Sequence, residues 1–489
     1  MAGRKRWLIG GGLFSAFLLT VGVAVYWGTA PDWNAHLTGL NDQASRSVRC
    51  GSDEVVAEGR ASLTVNPTES FVDEPINIRA SNLDPFQVAG LRITVTDSSG
   101  NRWESLACFR ADESGEIDPG ALPPLAGSAY EGVHAMGLFW SMMPLRLQPF
   151  SHATDLAFDI QLEAGRTTLA TATVTRRAYQ DLDALGIDKV EIRDQIIANL
   201  YSGSGAGRKA AVILLAGSGG QFQPDKAVYL AARGYVVMDL QYFGMGPLPE
   251  RLERIPLEYL DTAVRRLAAQ PNVDPDAITL MGRSKGAEYA LLYASYFDTV
   301  ASVISVVGTH VAWSSKTWFR SSWTYQGREI PFARGSLREA IRYVRQTRHL
   351  GQNQLSYMQS ALENRSRVED AAIRVEDFGG RVLLLSGKDD QQWPSTAMSA
   401  AIVARARKHG FANDIEHQAY THAGHEFDAL PNVPQPDFSQ VATWRSGGTP
   451  QGNALAAIAA WERVLTFLDE NRARPESSLT DVDSPSAGG

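Results

Sequence analysis

The sequence has 489 residues, of which 44% are hydrophobic and 20% are charged, a length and composition typical of two or three globular domains. Its formal net charge of -8 provides no basic field to gather nucleic acid, which excludes that class of partner. The two cysteines, Cys50 and Cys108, lack the spacing of a metal site. They could form one disulfide in an oxidising compartment, but two unpaired thiols in separate strands are the simpler interpretation.

An apolar segment follows three basic residues at the N-terminus. Residues 7–27 (WLIGGGLFSAFLLTVGVAVYW) carry no charge, and their 21 residues span a bilayer at ~1.5 Å per helical residue. A cleaved signal peptide is the alternative, but residues 28–31 (GTAP) match a cleavage site poorly. We therefore expect residues 1–30 to form a membrane anchor. The basic flank predicts that everything after this anchor lies outside the cytoplasm.

The next part of the chain is a polar linker followed by strand-like segments. Residues 31–60 are predicted to form the linker. Within residues 61–180, segments such as GLRITVTDS and DLAFDIQLE alternate apolar with polar side chains, which is typical of half-buried strands. Turn residues separate these segments, so we predict an antiparallel β-sandwich domain.

Residues 181–472 are predicted to form an α/β domain. From residue 211 onward, apolar runs such as AVILLAG and VLLLSG alternate with amphipathic helical segments, as a doubly wound parallel sheet requires. Residues 309–380 form an insertion rich in Trp, Tyr and Arg, which is expected to cap the carboxyl ends of the strands. Residues 473–489 form a polar tail that is expected to be disordered.

A serine within this domain has the sequence context of a nucleophile. The run ITLMGRSKGAEYALLYAS places Ser284 in a G-x-S-x-G motif between an apolar strand and a helix-forming segment. In a nucleophile elbow, this order of strand, sharp turn and helix exposes the serine hydroxyl at the edge of the sheet. The motif alone also occurs by chance, so an acid and a base must follow.

Both groups follow in the expected chain order. Asp389 and Asp390 come directly after an apolar strand, while His422 and His425 come after the last short strand. His425 is the predicted base because the preceding Gly424 lets its loop turn tightly. For His422, a loop imidazole bonded to backbone is the expected role. The residues alone do not choose between the two aspartates, one of which is expected to serve as a turn and helix cap.

A glycine-rich turn after the first strong strand supplies candidate oxyanion donors. The backbone N–H groups of Ser218 and Gly219, with that of Lys285 after the nucleophile, could hold a developing oxyanion. The same turn fails the G-x-G-x-x-G pattern for dinucleotides, and the histidines match no zinc motif. No cofactor and no metal are therefore expected.

Several segments together resemble the acyl-CoA thioesterase and bile acid-CoA:amino acid N-acyltransferase family, a dienelactone-hydrolase-like branch of the α/β-hydrolases. The resemblance covers residues 61–468 and rests on the segments VNPTESFVDEPINIRASNL, FRADESGEIDPG, YEGVHAMGLFWSMMP, GRSKGAEYAL and SGKDDQQWPS. It implies a β-sandwich packed on an α/β-hydrolase domain, with Ser284 as nucleophile and His425 as base. It also implies that Asp390 is the acid, because related hydrolases place the acid four residues before a proline, here Pro394.

The function implied by this resemblance is hydrolysis of acyl thioesters, including acyl-CoA, through an acyl-enzyme intermediate. Amino acid-conjugating members of the family have cysteine at the elbow, so serine favours water as the acceptor. An extracytoplasmic domain conflicts with a cytoplasmic acyl-CoA substrate. The alternatives are therefore an esterase, lipase or acyltransferase acting on a non-CoA substrate, or a binding protein without catalysis.

Overall fold

The computed structural model describes the residue ranges 49–51, 60–144, 150–179, 181–315, 319–336, 355–435 and 446–472. The predicted anchor at 1–30 and the predicted disordered tail at 473–489 lie outside these ranges, as does most of the predicted linker at 31–60. Among the helices that the ranges contain, none has both the length and the apolar character needed to cross a membrane.

The predicted β-sandwich region contains eight described strands and one short helix, α1 (Gly137–Trp140). Strands β2, β4, β5, β6, β7 and β8 form a six-stranded sheet in which β2 alone pairs in parallel, while β1 and β3 form a two-stranded sheet. Side chains of β4 from Leu91 onward and of β7 alternate between buried and more exposed positions, as predicted. The strands are β1 Ser62–Asn66, β2 Glu69–Phe71, β3 Asn77–Ser81, β4 Val88–Thr96, β5 Arg102–Arg110, β6 Met143–Pro144, β7 Leu156–Ala164 and β8 Thr167–Arg177.

The rest of the described chain has an α/β-hydrolase-like arrangement. Eight strands form one sheet in the order β19-β18-β15-β14-β11-β12-β10-β9, and β13, β16 and β17 form a small separate sheet. The strands are β9 Ile187–Arg193, β10 Ile197–Gly203, β11 Lys209–Leu215, β12 Val236–Gln241, β13 Ile255–Pro256, β14 Val273–Arg283, β15 Ser302–Val306, β16 Trp323–Tyr325, β17 Arg328–Glu329, β18 Arg381–Gly387 and β19 Ile415–Tyr420. The helices are α2 Pro224–Ala231, α3 Leu257–Ala268, α4 Lys285–Phe297, α5 Leu355–Leu362, α6 Arg365–Asp370, α7 Ser395–Lys408 and α8 Pro450–Arg472.

The strands predicted from residue 211 onward are parallel as expected, but one edge of the sheet is an antiparallel hairpin that the sequence analysis did not predict. Six neighbouring strands are parallel, but β10 pairs antiparallel with both β12 and β9. Only residues 194–196 connect β9 to β10, whereas a parallel pair needs a crossover of a dozen or more residues. The short connection therefore forces an antiparallel hairpin, and the sheet begins before the apolar run at residue 211.

The two cysteines form a disulfide, so the interpretation as unpaired thiols is wrong. The Cα atoms of Cys50 and Cys108 lie 5.3 Å apart. Gly90 lies opposite Cys108 on β4, and a Cβ atom at this glycine would come within 2.8 Å of the Cys50 sulfur. A glycine across the ladder thus leaves room for a bridge that joins the end of the predicted linker to strand β5.

Removal of this disulfide is expected to destabilise the β domain. The bridge closes a loop between residues 58 positions apart, and such a loop corresponds to roughly 2–4 kcal/mol of stability. A Cys50→Ala/Cys108→Ala variant should therefore unfold at lower urea concentration than the oxidised wild type. Reductant should shift the wild-type midpoint and leave that of the variant in place. Equal midpoints for variant and oxidised wild type would contradict the prediction.

Candidate active site

Ser284 lies on a strained turn between β14 and α4. Its backbone has φ 54° and ψ −117°, outside the regions that non-glycine residues ordinarily occupy. A Cβ atom at Gly282 would lie 2.2 Å from the Gly286 carbonyl oxygen, and one at Gly286 would lie 2.1 Å from the Leu215 carbonyl oxygen. Both glycines are therefore needed for the close approach of the elbow, which has the strand–turn–helix geometry predicted from the sequence.

The structure brings His425 and Asp390 to this serine. The His425 Nε2 atom lies 3.0 Å from the Ser284 Oγ atom, and its Nδ1 atom lies 2.8 Å from Asp390 Oδ2. Because a carboxylate only accepts, the Nδ1–H of His425 donates to it, which leaves Nε2 free to accept the serine hydroxyl. All three side chains are buried. Asp390 follows β18 and His425 follows β19, so the carboxyl edge of the parallel strands gathers the three groups.

The neighbouring aspartate and histidine form a second, exposed pair. The His422 Nδ1 atom lies 3.4 Å from Asp389 Oδ2, and both side chains face solvent. The expectation that His422 bonds to backbone is therefore wrong, because its ring faces a carboxylate. Asp390 Oδ1 also accepts the backbone N–H groups of Gln392 at 2.9 Å and Trp393 at 3.2 Å. Asp390 thus combines a loop-capping role with its bond to His425.

The candidate oxyanion donors lie on the turn after β11 and at the start of α4, beside Ser284. The turn that contains Ser218 and Gly219 is closed by a 3.0 Å hydrogen bond from the Gly220 N–H to the Gly217 carbonyl, and both candidates are exposed. A Cβ atom at Gly217 would lie 3.3 Å from the Ser284 Cβ atom, so the turn adjoins the nucleophile. Lys285 begins α4, where backbone N–H groups of the first turn lack helical acceptors. The donor role of these three residues remains a prediction.

A buried ion pair that sequence reasoning missed lies in the first turn of α4, directly after Ser284. The Lys285 Nζ atom donates to Glu288 Oε1 at 2.9 Å and Oε2 at 2.7 Å. Glu288 also accepts the backbone N–H of Trp313 at 2.8 Å and the indole N–H of Trp323. Both tryptophans belong to the predicted cap insertion, so this carboxylate attaches the insertion to α4. The i, i+3 spacing of Lys285 and Glu288 in the GRSKGAE segment is the sequence signal that could have indicated the pair.

Asp239 is a second buried carboxyl that the sequence did not single out. It lies on β12, its Oδ2 atom accepts the Gln223 N–H at 2.6 Å, and its buried Oδ1 atom has no hydrogen-bond partner among the described residues. Burial raises the pKa of Asp239 to about 7, against the opposing effects of the Gln223 hydrogen bond and of Lys226. Gln223 directly precedes α2, so Asp239 anchors the end of the glycine-rich loop.

An Asp239→Asn variant is expected to change how stability depends on pH. The folded-state pKa lies above the unfolded value of 3.8, so the stabilising protonation is fully present below that value and is lost as pH rises through about 7. Asparagine removes this loss and should make the protein roughly 1–3 kcal/mol more stable than wild type at pH 8. Urea unfolding at pH 5 and pH 8 measures the difference. An equal pH dependence in both proteins would contradict it.

The sheet order and the elbow together define a protein with an α/β-hydrolase-like fold. Among solved structures, a puromycin-hydrolysing peptidase of Mycobacterium tuberculosis is 13% identical, with a TM-score of 0.42 over 83% of this chain and 67% of that one. A dienelactone hydrolase described as putative, from Klebsiella pneumoniae, is 16% identical with a TM-score of 0.38 over 58% and 98% of the two chains.

Sequence comparison identifies the family. Residues 73–193 match the model for the acyl-CoA thioester hydrolase/BAAT N-terminal region, and residues 255–473 match the model for the BAAT/acyl-CoA thioester hydrolase C terminal. Acyl-coenzyme A thioesterase 5 of Mus musculus is 28% identical over 84% of this chain and 96% of its own length. Acyl-coenzyme A amino acid N-acyltransferase 1 of the same species is 27% identical over 85% and 99%. The chain belongs to the acyl-CoA thioester hydrolase/BAAT family, which confirms the predicted resemblance and the predicted enzyme class, thioester hydrolase.

Proposed function

We propose that this protein hydrolyses acyl thioesters through a Ser284–His425–Asp390 catalytic triad. The observation that carries the proposal is the continuous hydrogen-bond chain from the serine hydroxyl through the imidazole to the buried carboxylate. A serine hydroxyl is a weak nucleophile until a base takes its proton, and the carboxylate fixes the imidazole tautomer that can do so. Membership of a family that contains acyl-CoA thioesterases supports thioesters as the substrate class.

The reaction proceeds in two acyl-transfer steps. The Ser284 Oγ atom attacks the thioester carbonyl carbon while His425 Nε2 takes its proton, and the backbone N–H groups of Ser218, Gly219 and Lys285 hold the oxyanion. The carbon–sulfur bond then breaks, and the imidazolium returns the proton to the leaving thiolate. Water, deprotonated by His425, attacks the resulting ester, the bond between the acyl carbon and Ser284 Oγ breaks, and the imidazolium returns its proton to this oxygen. A carboxylic acid and a thiol are the products.

Hydrolysis is proposed over transfer to an amine because the nucleophile is a serine. The amino acid-conjugating members that the sequence resembles have cysteine at the elbow. An oxygen ester at Ser284 is intercepted by an amine less readily than a thioester, so water is the expected acceptor. Adding glycine or taurine to a turnover assay tests this choice, since formation of the N-acyl product in place of free acid would overturn it.

The experiment that tests the function compares leaving groups on the purified full-length chain. Thiol release from acyl-CoAs of increasing chain length is measured beside alcohol release from oxygen esters with the same acyl groups. A strong preference for the CoA thioesters supports the proposal. Turnover of the oxygen esters alone would contradict it and support an esterase built on the same triad.

A second candidate, an extracytoplasmic esterase or acyltransferase for a non-CoA substrate, is favoured by the Cys50–Cys108 disulfide. Disulfides persist in oxidising compartments and are rare in the cytoplasm, where acyl-CoA is made. The apolar segment at 7–27 and its basic flank predict the same location. Reaction of intact cells, with any outer membrane removed, with a membrane-impermeant protein label tests this location. Protection of the domain until the membrane is broken would contradict it.

A further inference from the structure

A cluster of charged side chains joins the nucleophile elbow to the loop of the proposed base. Arg283, the residue before Ser284, donates from Nε to Asp428 Oδ1 at 2.7 Å and from Nη2 to the His425 carbonyl oxygen at 2.9 Å. It also forms an ion pair with Glu426. One guanidinium therefore holds three positions of the 425–428 segment.

Asp428 extends this cluster to helix α2. Its other carboxylate oxygen, Oδ2, forms an ion pair with Lys226 on α2, the helix that follows the glycine-rich turn at 217–220. The side chains of Arg283, Lys226 and Asp428 are largely buried, at 19%, 15% and 9% exposure. Burial opposes the ionisation of Asp428, but Lys226 and Arg283 outweigh it and hold the pKa of this carboxyl well below its usual range.

We propose that Arg283 and Asp428 are positioning residues that hold the main chain of His425 against the elbow and set the charge environment of its imidazole. The proposal rests on the catalytic triad proposed above. His425 reaches Ser284 from 141 residues away along the chain, at the end of a loop. A displacement of about 1 Å in such a site can slow a reaction by about 100-fold. The contacts that hold His425 in place therefore affect the rate directly.

The planar fork of arginine is what this position requires. Its Nε–H and Nη–H groups bind a carboxylate and a carbonyl in fixed directions, whereas lysine offers a single flexible ammonium group. An Arg283→Lys variant therefore keeps the positive charge but loses the fixed geometry. An Arg283→Met variant loses both, and Asp428→Asn removes a negative charge while keeping the side-chain shape.

Charged groups of the described residues around the His425 loop give the direction of each expected effect. Asp390 bonds the imidazole, Arg283 bonds the main chain, and Glu426, Asp428 and Lys226 surround the guanidinium. The Lys285–Glu288 pair lies at the start of α4, and the exposed Asp389–His422 pair lies in the adjoining loops. A cation disfavours the imidazolium form and an anion favours it.

The test measures the rate of Ser284 labelling by a fluorophosphonate probe as a function of pH, with mass spectrometry to verify the labelled residue. We expect Arg283→Lys to lower the rate constant by about 10–100-fold and to leave the pH midpoint of the acid limb in place. Arg283→Met should move this midpoint to higher pH and Asp428→Asn should move it to lower pH, each by about one unit. The exposed Arg265, which pairs with Asp261, provides the matched control as Arg265→Lys and should change neither quantity.

Each outcome either supports or overturns the positioning role of Arg283 and Asp428. A purely structural role would lower only the fraction of protein that is labelled, with unchanged rate constant and midpoint in the folded fraction, and would overturn the proposal. If Arg283→Met does not fold, Arg283→Lys and Asp428→Asn still provide both readouts. A wild-type protein that is not labelled at Ser284 overturns the triad itself, whereas a labelled wild type with unaltered variants overturns the positioning role alone.

Discussion

A Ser284→Ala variant is expected to lose roughly four to six orders of magnitude in kcat/KM toward the acyl thioester that the wild type prefers. Alanine removes the atom that forms the acyl-enzyme, while Asp390 and His425 keep their mutual 2.8 Å contact. Residual turnover should come only from bound water and from the oxyanion donors, which stabilise the transition state without a nucleophile. Stopped-flow or endpoint thiol release measures the ratio.

Ser295 supplies a matched control for this variant. It lies on the same helix as the elbow, and its hydroxyl donates to the Leu292 carbonyl oxygen at 2.9 Å. Ser295→Ala should retain wild-type turnover within about twofold, because an intrahelical serine bond contributes little. Turnover of Ser284→Ala comparable to this control would show that another group is the nucleophile.

A Glu288→Gln variant is expected to reduce the free energy of unfolding by about 3–5 kcal/mol. Glu288 is fully buried and neutralises Lys285, whose side chain has 10% exposure. Glutamine leaves the ammonium buried without a counter-charge and weakens the acceptor for the two tryptophan N–H groups. Urea unfolding at pH 7 measures the loss.

The pH dependence of this variant provides an independent check. Burial lowers the pKa of Lys285, and the loss of Glu288 lowers it further. The unfolded chain then binds more protons than the folded one between the lowered pKa and about 10.4, so stability should rise as pH increases through that window. A Lys285→Met/Glu288→Gln double variant removes the buried charge and should recover most of the loss at pH 7. A loss below about 1 kcal/mol in Glu288→Gln would show that the pair is not needed.

The disulfide and the family membership point to different substrates. Membership of a family that contains acyl-CoA thioesterases favours a CoA thioester, whereas the disulfide and the apolar N-terminal segment favour a compartment outside the cytoplasm. The comparison of CoA thioesters with oxygen esters, together with the membrane-impermeant label, separates these alternatives. The proposed triad chemistry is the same in both, because only the leaving group differs.

Local patterns in the sequence determined most of the elements and their order. The continuous apolar runs identified β11, β12, β15 and β18 because buried parallel strands expose neither face. The two glycines around Ser284 identified the elbow because no other residue fits between its closely packed backbones. These strands and the elbow could be predicted because each signal depends on residues within one short segment.

Other features were decided only by the tertiary structure, because each depends on residues far apart in the chain. The pairing of β10 with β12, the Cys50–Cys108 bridge and the separation of Asp390 from Asp389 by their histidine partners all follow from how segments meet in space. The hydrogen bond from Arg283 to Asp428 joins residues 145 positions apart, so no local sequence pattern indicates it. Buried ionic contacts of this kind are set by packing, since a charge enters the interior only where a distant partner satisfies it.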